Sequence, residues 1–210
     1  MPERNDESTA RKIVRTATQL YCEIGYRKTT VGDIARRLSM SSANVYRFFP
    51  SKRAIEEAVV AELVEEVSTA AICAAGEGGL AVQRLTATLN AIARRNEDLF
   101  VRHGRLHELM AFAVRDSWPV ALSFADRVRR LVGEIIAAGQ ASGELRAGSP
   151  MALSRCMLEA MDVYLSPSRI RASPPGPSFD EMMNFCVGAL RSQPSQPTDM
   201  RANPRLRAAG

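Results

Sequence analysis

Apolar side chains return every three or four positions along almost the whole chain, and no segment alternates with a period of two. Ile13, Ala17, Leu20, Tyr21 and Ile24 form one face of a first helix, and Gly25 follows where a left-handed stop is wanted. "TVGD" then supplies Thr30 and Asp33 as a capping box, in which the threonine oxygen accepts from the Asp33 N–H and the carboxylate reaches back. A short second helix through Ile34, Ala35 and Leu38 is predicted, then a turn at Ser39–Ser41 and a third helix ending near Phe49. Pro50 breaks the pattern, and Ser51 caps a long fourth helix over 52–75 with Ile55, Val59, Leu63 and Val67 on one stripe. "GEGG" at Gly76–Gly79 ends it.

Further helices are predicted over 80–95, 98–114, 118–141, 150–165 and 178–191, with Pro119 and Pro150 in first turns, where proline is tolerated. The Pro-rich stretch 166–178 reads as a loop, and residues 193–210 read as a disordered tail without periodicity. The pattern thus predicts an all-α chain of about nine helices. Residues 1–53 would form a three-helix helix-turn-helix domain and 54–192 a larger helical domain.

"SMSSANVYRFFPSK", Ser39 to Lys52, is the segment with the most chemistry. A core helix has no need of Ser41, Ser42, Ala43 and Asn44 at its front; a helix whose N-terminal end enters a DNA groove does. Asparagine can bond adenine with two hydrogen bonds, and alanine can touch a thymine methyl. Val45 and Phe49, four apart, would face inward onto Leu20, Ile34 and Leu38, leaving Tyr46 and Arg47 outside for phosphate or base. Thr30 and Lys52 open the second and fourth helices, and free N–H groups at a helix start favour an anion.

Charge sharpens this reading. The formal net charge is +5, but residues 1–53 hold 11 Lys/Arg against 5 Asp/Glu, and the remainder is close to neutral. A basic first quarter suits a nucleic-acid partner. No apolar run reaches the ~18 residues of a membrane span, and the polar start carries no signal core, so a soluble, cytoplasmic protein with no membrane partner is expected. Cys22, Cys73, Cys156 and Cys186 are widely spaced and read as buried thiols rather than metal ligands. No metal, cofactor or catalytic site is expected: there is no GxSxG, no metal-hydrolase signature, and no Gly-rich phosphate loop before a helix.

The stretch Ile13–Val59 resembles the DNA-binding domain of the TetR family of bacterial transcriptional regulators. The matching residues are Gly25, Tyr26, Thr29, Thr30, Val31, Asp33, Ile34, Ala35, Ser41, Tyr46, Phe49 and Lys52, with Val45 in place of the family's leucine. Ser39 stands where the family usually has a turn glycine, and Phe48 where it often has histidine; Phe48 is given no DNA contact. The resemblance implies a homodimeric repressor that reads a palindromic operator in double-stranded DNA and is released by a small-molecule effector, with the fourth helix carrying the change. The DNA-contacting set would be Thr30, Ser41, Ser42, Ala43, Asn44, Tyr46, Arg47 and Lys52. Leu153, Met157, Met161, Phe185 and Leu190, on the last two helices, are candidates for a four-helix dimer interface, with intramolecular core as the alternative.

An effector pocket could draw on His103, His107, Met110, Trp118, Met157, Met161 and Tyr164, and core packing explains each of these equally well. His103 and His107, four apart, would share a helical face. The rival functions are a helical small-molecule binder that has lost DNA binding and an architectural DNA-binding protein without an inducer. The outer face of the third helix argues against the first, and dependence of binding on salt rather than sequence would mark the second.

Overall fold

The computed structural model describes residues 3–170 and 176–191. Ten helices occupy them: α1 (Glu3–Ile24), α2 (Val31–Arg37), α3 (Ser42–Phe48), α4 (Lys52–Gly76), α5 (Ala81–Arg102), α6 (Gly104–Arg115), α7 (Pro119–Ala141), α8 (Pro150–Leu165), α9 (Pro167–Ile170) and α10 (Phe179–Leu190). The start signals read in the sequence are made. Thr30 accepts from Asp33 N–H at 3.1 Å while the Asp33 carboxylate accepts from Thr30 N–H at 2.9 Å. Ser41, Ser51, Ser149 and Ser178 each accept from the N–H three residues on at the starts of α3, α4, α8 and α10, and of these only Ser178 has a returning carboxylate, Glu181.

The first three helices pack into a small head around Ile13, Ala17, Tyr21, Ile34 and Val45, all sealed from solvent. Central α4 is covered by α1 at one end and by α5, α6 and α7 along the rest. Its buried positions, among them Ile55, Val59, Val60, Val64 and Val67, therefore spread over more than one side. Beyond it α7 packs on α8, and α8 carries α10. No described helix is long and apolar enough to cross a membrane.

Three sequence expectations fail. The four cysteines are not all buried thiols: Cys186 is buried, Cys22 is half-buried, and Cys73 on α4 and Cys156 on α8 are exposed, because each falls on the solvent side of its helix. The break expected between 95 and 98 is absent, and α5 runs on to Arg102. The polar run there is a solvent face interrupted by one buried amide: Asn96 is enclosed and donates from Nδ2 to Leu165 O at 2.6 Å. The helix stops instead at His103, whose φ of −136° leaves helical space before α6 begins at Gly104. The stretch expected to be loop from 166 begins with a single helical turn, α9. Residues 171–175 and the tail expected at 193–210 lie outside the described residues.

One cap could not have been read locally. The N-terminus of α5 is met by Glu144, whose carboxylate accepts from Ala81 N–H and Val82 N–H at 2.6 and 2.9 Å. Nearby, Gly139 lets α7 close on this corner: a Cβ there would lie 2.6 Å from Ala81 Cβ and 2.7 Å from Leu145 Cδ1.

Candidate nucleic-acid interface

The turn between α2 and α3 is tight. Ser39 takes φ +54°, the left-handed conformation a glycine adopts at least cost, so serine carries a modest strain here. Its neighbour Met40 donates its N–H to Ala35 O at 2.9 Å, which fixes the angle between the helices. From α3, only Val45 is fully buried, wedged into the head core; Phe48 and Phe49 are half-buried beside it. The opposite side is open. Ser42, Ala43 and Arg47 are exposed, Asn44 is partly so, and Tyr46 is 48% exposed.

Around this face lie the groups that could bind phosphate. Thr30, at the start of α2, is exposed, and its hydroxyl is engaged with Asp33. Those Thr30 hydrogen bonds, with Arg36 also donating, hold the Asp33 carboxyl below its ordinary range. Ser41 accepts from Asn44 N–H at 3.2 Å. Lys52 is more constrained than the sequence suggests: Nζ donates to Tyr26 O at 2.7 Å and lies 3.6 Å from Glu56. Lys52 thus ties the start of α4 to the α1–α2 turn, and an ammonium has three donors in all. Phe48 packs against the core with the Arg47 guanidinium 5.4 Å from its ring centre.

Sequence reading missed α1 as a neighbour of this surface. Thr9 and Lys12 line a shallow hollow with Asn44, Arg47 and Phe48, so the first helix lies beside the recognition helix. The spacing of Arg11, Lys12 and Arg15 was the available signal.

The seven residues considered for a pocket differ in their surroundings. His107 is buried, edge-on to Phe100 at 5.0 Å, while His103 is exposed at the α5–α6 junction near Cys22. Met110, Met157 and Met161 are buried in the core. Trp118 is fully buried at the start of α7, and Tyr164 sits against Phe179 with its hydroxyl donating to Pro177 O. A cavity of about 210 Å³ opens elsewhere, between α7 and α8, and none of the seven lines it. Ile92, Val114, Phe124, Val128 and Leu158 form its apolar wall; Arg155, Glu159 and Asp162 stand among its charged residues. Burial pushes the Asp162 carboxyl up.

Of the residues considered for a dimer interface, Leu153, Met157, Met161 and Leu190 are buried within the chain, packing α8 and α10 onto their neighbours. Phe185 alone projects outward, 73% exposed. On α8, Ala152, Cys156 and Ala160, spaced four apart, are all exposed.

Comparison with known proteins agrees with this architecture. Residues 13–59 match the family model described as bacterial regulatory proteins, tetR family. Residues 81–178 match the model described as tetracyclin repressor-like, C-terminal domain. Among solved structures the fold is similar to a TetR/AcrR family transcriptional regulator from Thermobifida fusca, at 23% identity and TM-score 0.63, covering 86% of this chain and 95% of that one. It is also similar to a candidate transcriptional regulator from Saccharomonospora viridis in complex with choline, at 19% identity and TM-score 0.62, covering 89% and 100%. A third is the ketosteroid regulator KstR2 of Mycobacterium tuberculosis, at 17% identity and TM-score 0.52, covering 88% and 96%. No curated protein matches the chain by sequence. With both the helix-turn-helix head and the helical domain behind it matched to the same family, over well more than half its length, the chain belongs to the TetR family: it is a DNA-binding transcriptional regulator and not an enzyme.

Proposed function

We propose that this regulator is a homodimeric repressor that holds a palindromic operator and releases it when a small molecule enters the helical domain. The observation that carries the reading is the two-sided α3: Val45 is locked in the head core, and Ser42, Ala43, Asn44, Tyr46 and Arg47 lie along the other side. Ser42, Ala43 and Asn44 read base edges, and Thr30, Ser41, Tyr46, Arg47 and Lys52 position the head on phosphate oxygens. The partner-facing surface is the outer side of α8 and α10, with Phe185 as its apolar anchor and Ala152, Cys156 and Ala160 allowing close approach. Two heads held about 34–36 Å apart enter successive major grooves. The effector site is the α7–α8 cavity, whose apolar wall and few charged groups suit a small amphipathic molecule. Choline bound in the S. viridis relative supports a small-molecule role for this fold.

A molecule that prefers a different head separation lowers operator affinity by its differential affinity for the two states. The test is binding of the purified protein to DNA from immediately upstream of its own gene, with excess unrelated DNA and physiological salt present. Retained binding to a short palindrome, with a dimer mass by light scattering, is expected. Binding that vanishes under competitor and follows salt alone would identify an architectural DNA binder instead.

A further inference from the structure

At the junction between head and helical domain lies a contact that neither DNA reading nor core packing explains. The Arg53 guanidinium, one residue after Lys52 on α4, lies over the indole of Trp118, 3.3 Å from the ring centre, while its Nε donates to Glu57 Oε1 at 3.0 Å. Trp118 is fully buried and is the only tryptophan in the chain. Its Nε1–H donates to Asp116 Oδ2 at 3.2 Å, and the same oxygen lies 4.0 Å from Arg53 Nη1. Phe112 meets the indole edge-on at 5.8 Å and faces Tyr26 of the head at 6.2 Å. Tyr26 is the residue whose carbonyl takes the Lys52 ammonium. The α6–α7 corner therefore holds both the head, through Phe112 on Tyr26, and the start of α4, through Trp118 under Arg53.

That corner is short and stiff. Ser117 sits at φ +52°, and Trp118 N–H is bonded to Ala113 O at 2.9 Å. Both of its ends also wall the α7–α8 cavity, through Val114 on one side and Ala121 on the other. A group that fills the cavity would meet both ends of the segment that holds Arg53.

We infer that Arg53 and Trp118 are positioning residues: their stack sets the angle of the DNA head, and the α6–α7 corner passes displacement from the cavity to that head. The second half rests on the α7–α8 cavity being the effector site. A cation over a buried ring is a directional attraction, so a small tilt of the indole weakens it. Two packed elements that share such a contact move together or separate.

The experiment uses the full-length protein and a duplex selected by it from random sequence. Arg53→Met keeps the length of the side chain and removes the charge. Operator affinity should fall about three- to thirtyfold, the range a lost cation–π contact allows, with the slope of log affinity against log salt unchanged. A phosphate-contacting arginine would instead lower that slope by about one, which would overturn the assignment. Trp118→Leu, which cannot touch DNA, should give a similar loss, and the double variant should lose no more than either alone. Trp118 emission reads the stack directly in wild type and in Arg53→Met, so the test survives a Trp118 variant that folds poorly. For the cavity, Ala125→Trp, at its lining, serves as a built-in occupant. It should weaken operator binding in the wild-type background and leave it unchanged in Arg53→Met. Equal weakening in both backgrounds would remove the corner as the route. Weakening in neither would overturn the cavity as the source of the movement, while the salt-slope result on Arg53 still decides the positioning role.

Discussion

The head and the helical domain solve opposite problems with the same secondary structure. In the head, three helices share a small core, and one side of α3 stays open; Val45 is buried while the residues before and after it face solvent. In the helical domain, long helices bury apolar residues against several neighbours at once, and a cavity with a mainly apolar wall opens between α7 and α8. A surface that reads DNA must present particular side chains at particular steps. A core accepts many apolar residues of the right volume. The head is therefore specified residue by residue, and the domain behind it mainly by pattern.

Substitutions that act on one region and spare the other test this contrast. The largest effect is expected for Ile34→Ala, which empties a fully buried position of the head and should cost about 2–5 kcal/mol. Hydrogen exchange should show α1–α3 opening first, with protection in α5 and α7 retained; uniform loss would mean that the two regions unfold as one. Next is Gly139→Ala, which forces a methyl into Ala81 and Leu145 and should cost about 1–3 kcal/mol in thermal unfolding. Operator affinity of the folded fraction should not change. Asn44→Ala should leave stability within about 0.5 kcal/mol and lose about 1–3 kcal/mol of discrimination at one operator position. Unchanged preference at every position, measured by a base-substitution series, would remove Asn44 from direct readout.

The smallest effect is expected for Thr30→Ala, a lost helix cap worth about 1 kcal/mol. This one also carries a pH signature. The Asp33 carboxyl is depressed by its hydrogen bonds to Thr30, so its contribution is present above the ordinary carboxylate range and fades as pH falls through the lowered folded value. The gap in melting temperature between wild type and Thr30→Ala should narrow in acid. A gap independent of pH would show that the hydroxyl works through Asp33 N–H alone.

Much of the head was legible because its signals are local. A capping threonine three residues before an aspartate and the alternation of small and apolar residues from Ser41 to Phe49 act within one helical turn. Ser39 is similar: the backbone there is left-handed with serine in the place of glycine. The helical domain's errors share one cause. The polar run around Asn96 looks like a break until Leu165 O supplies a partner from 69 residues away. Met157 and Met161 look equally suited to pocket, interface and core; only the packing of α8 against its neighbours puts them in the core and leaves Phe185 outside. His103 and His107 have helical spacing, but His103 is the junction between α5 and α6, exposed, while His107 one turn on is buried.

By itself the sequence determined the helical class, the capped starts of α2 and α4 and the open face of α3, since these follow from hydrogen bonds and side-chain periodicity within a few residues. Tertiary structure alone decided which apolar side chains close the core, where the α7–α8 cavity opens, and that Arg53 rests on Trp118. Those outcomes depend on which helix faces which, and contacts between residues tens of positions apart leave no periodic mark along the chain.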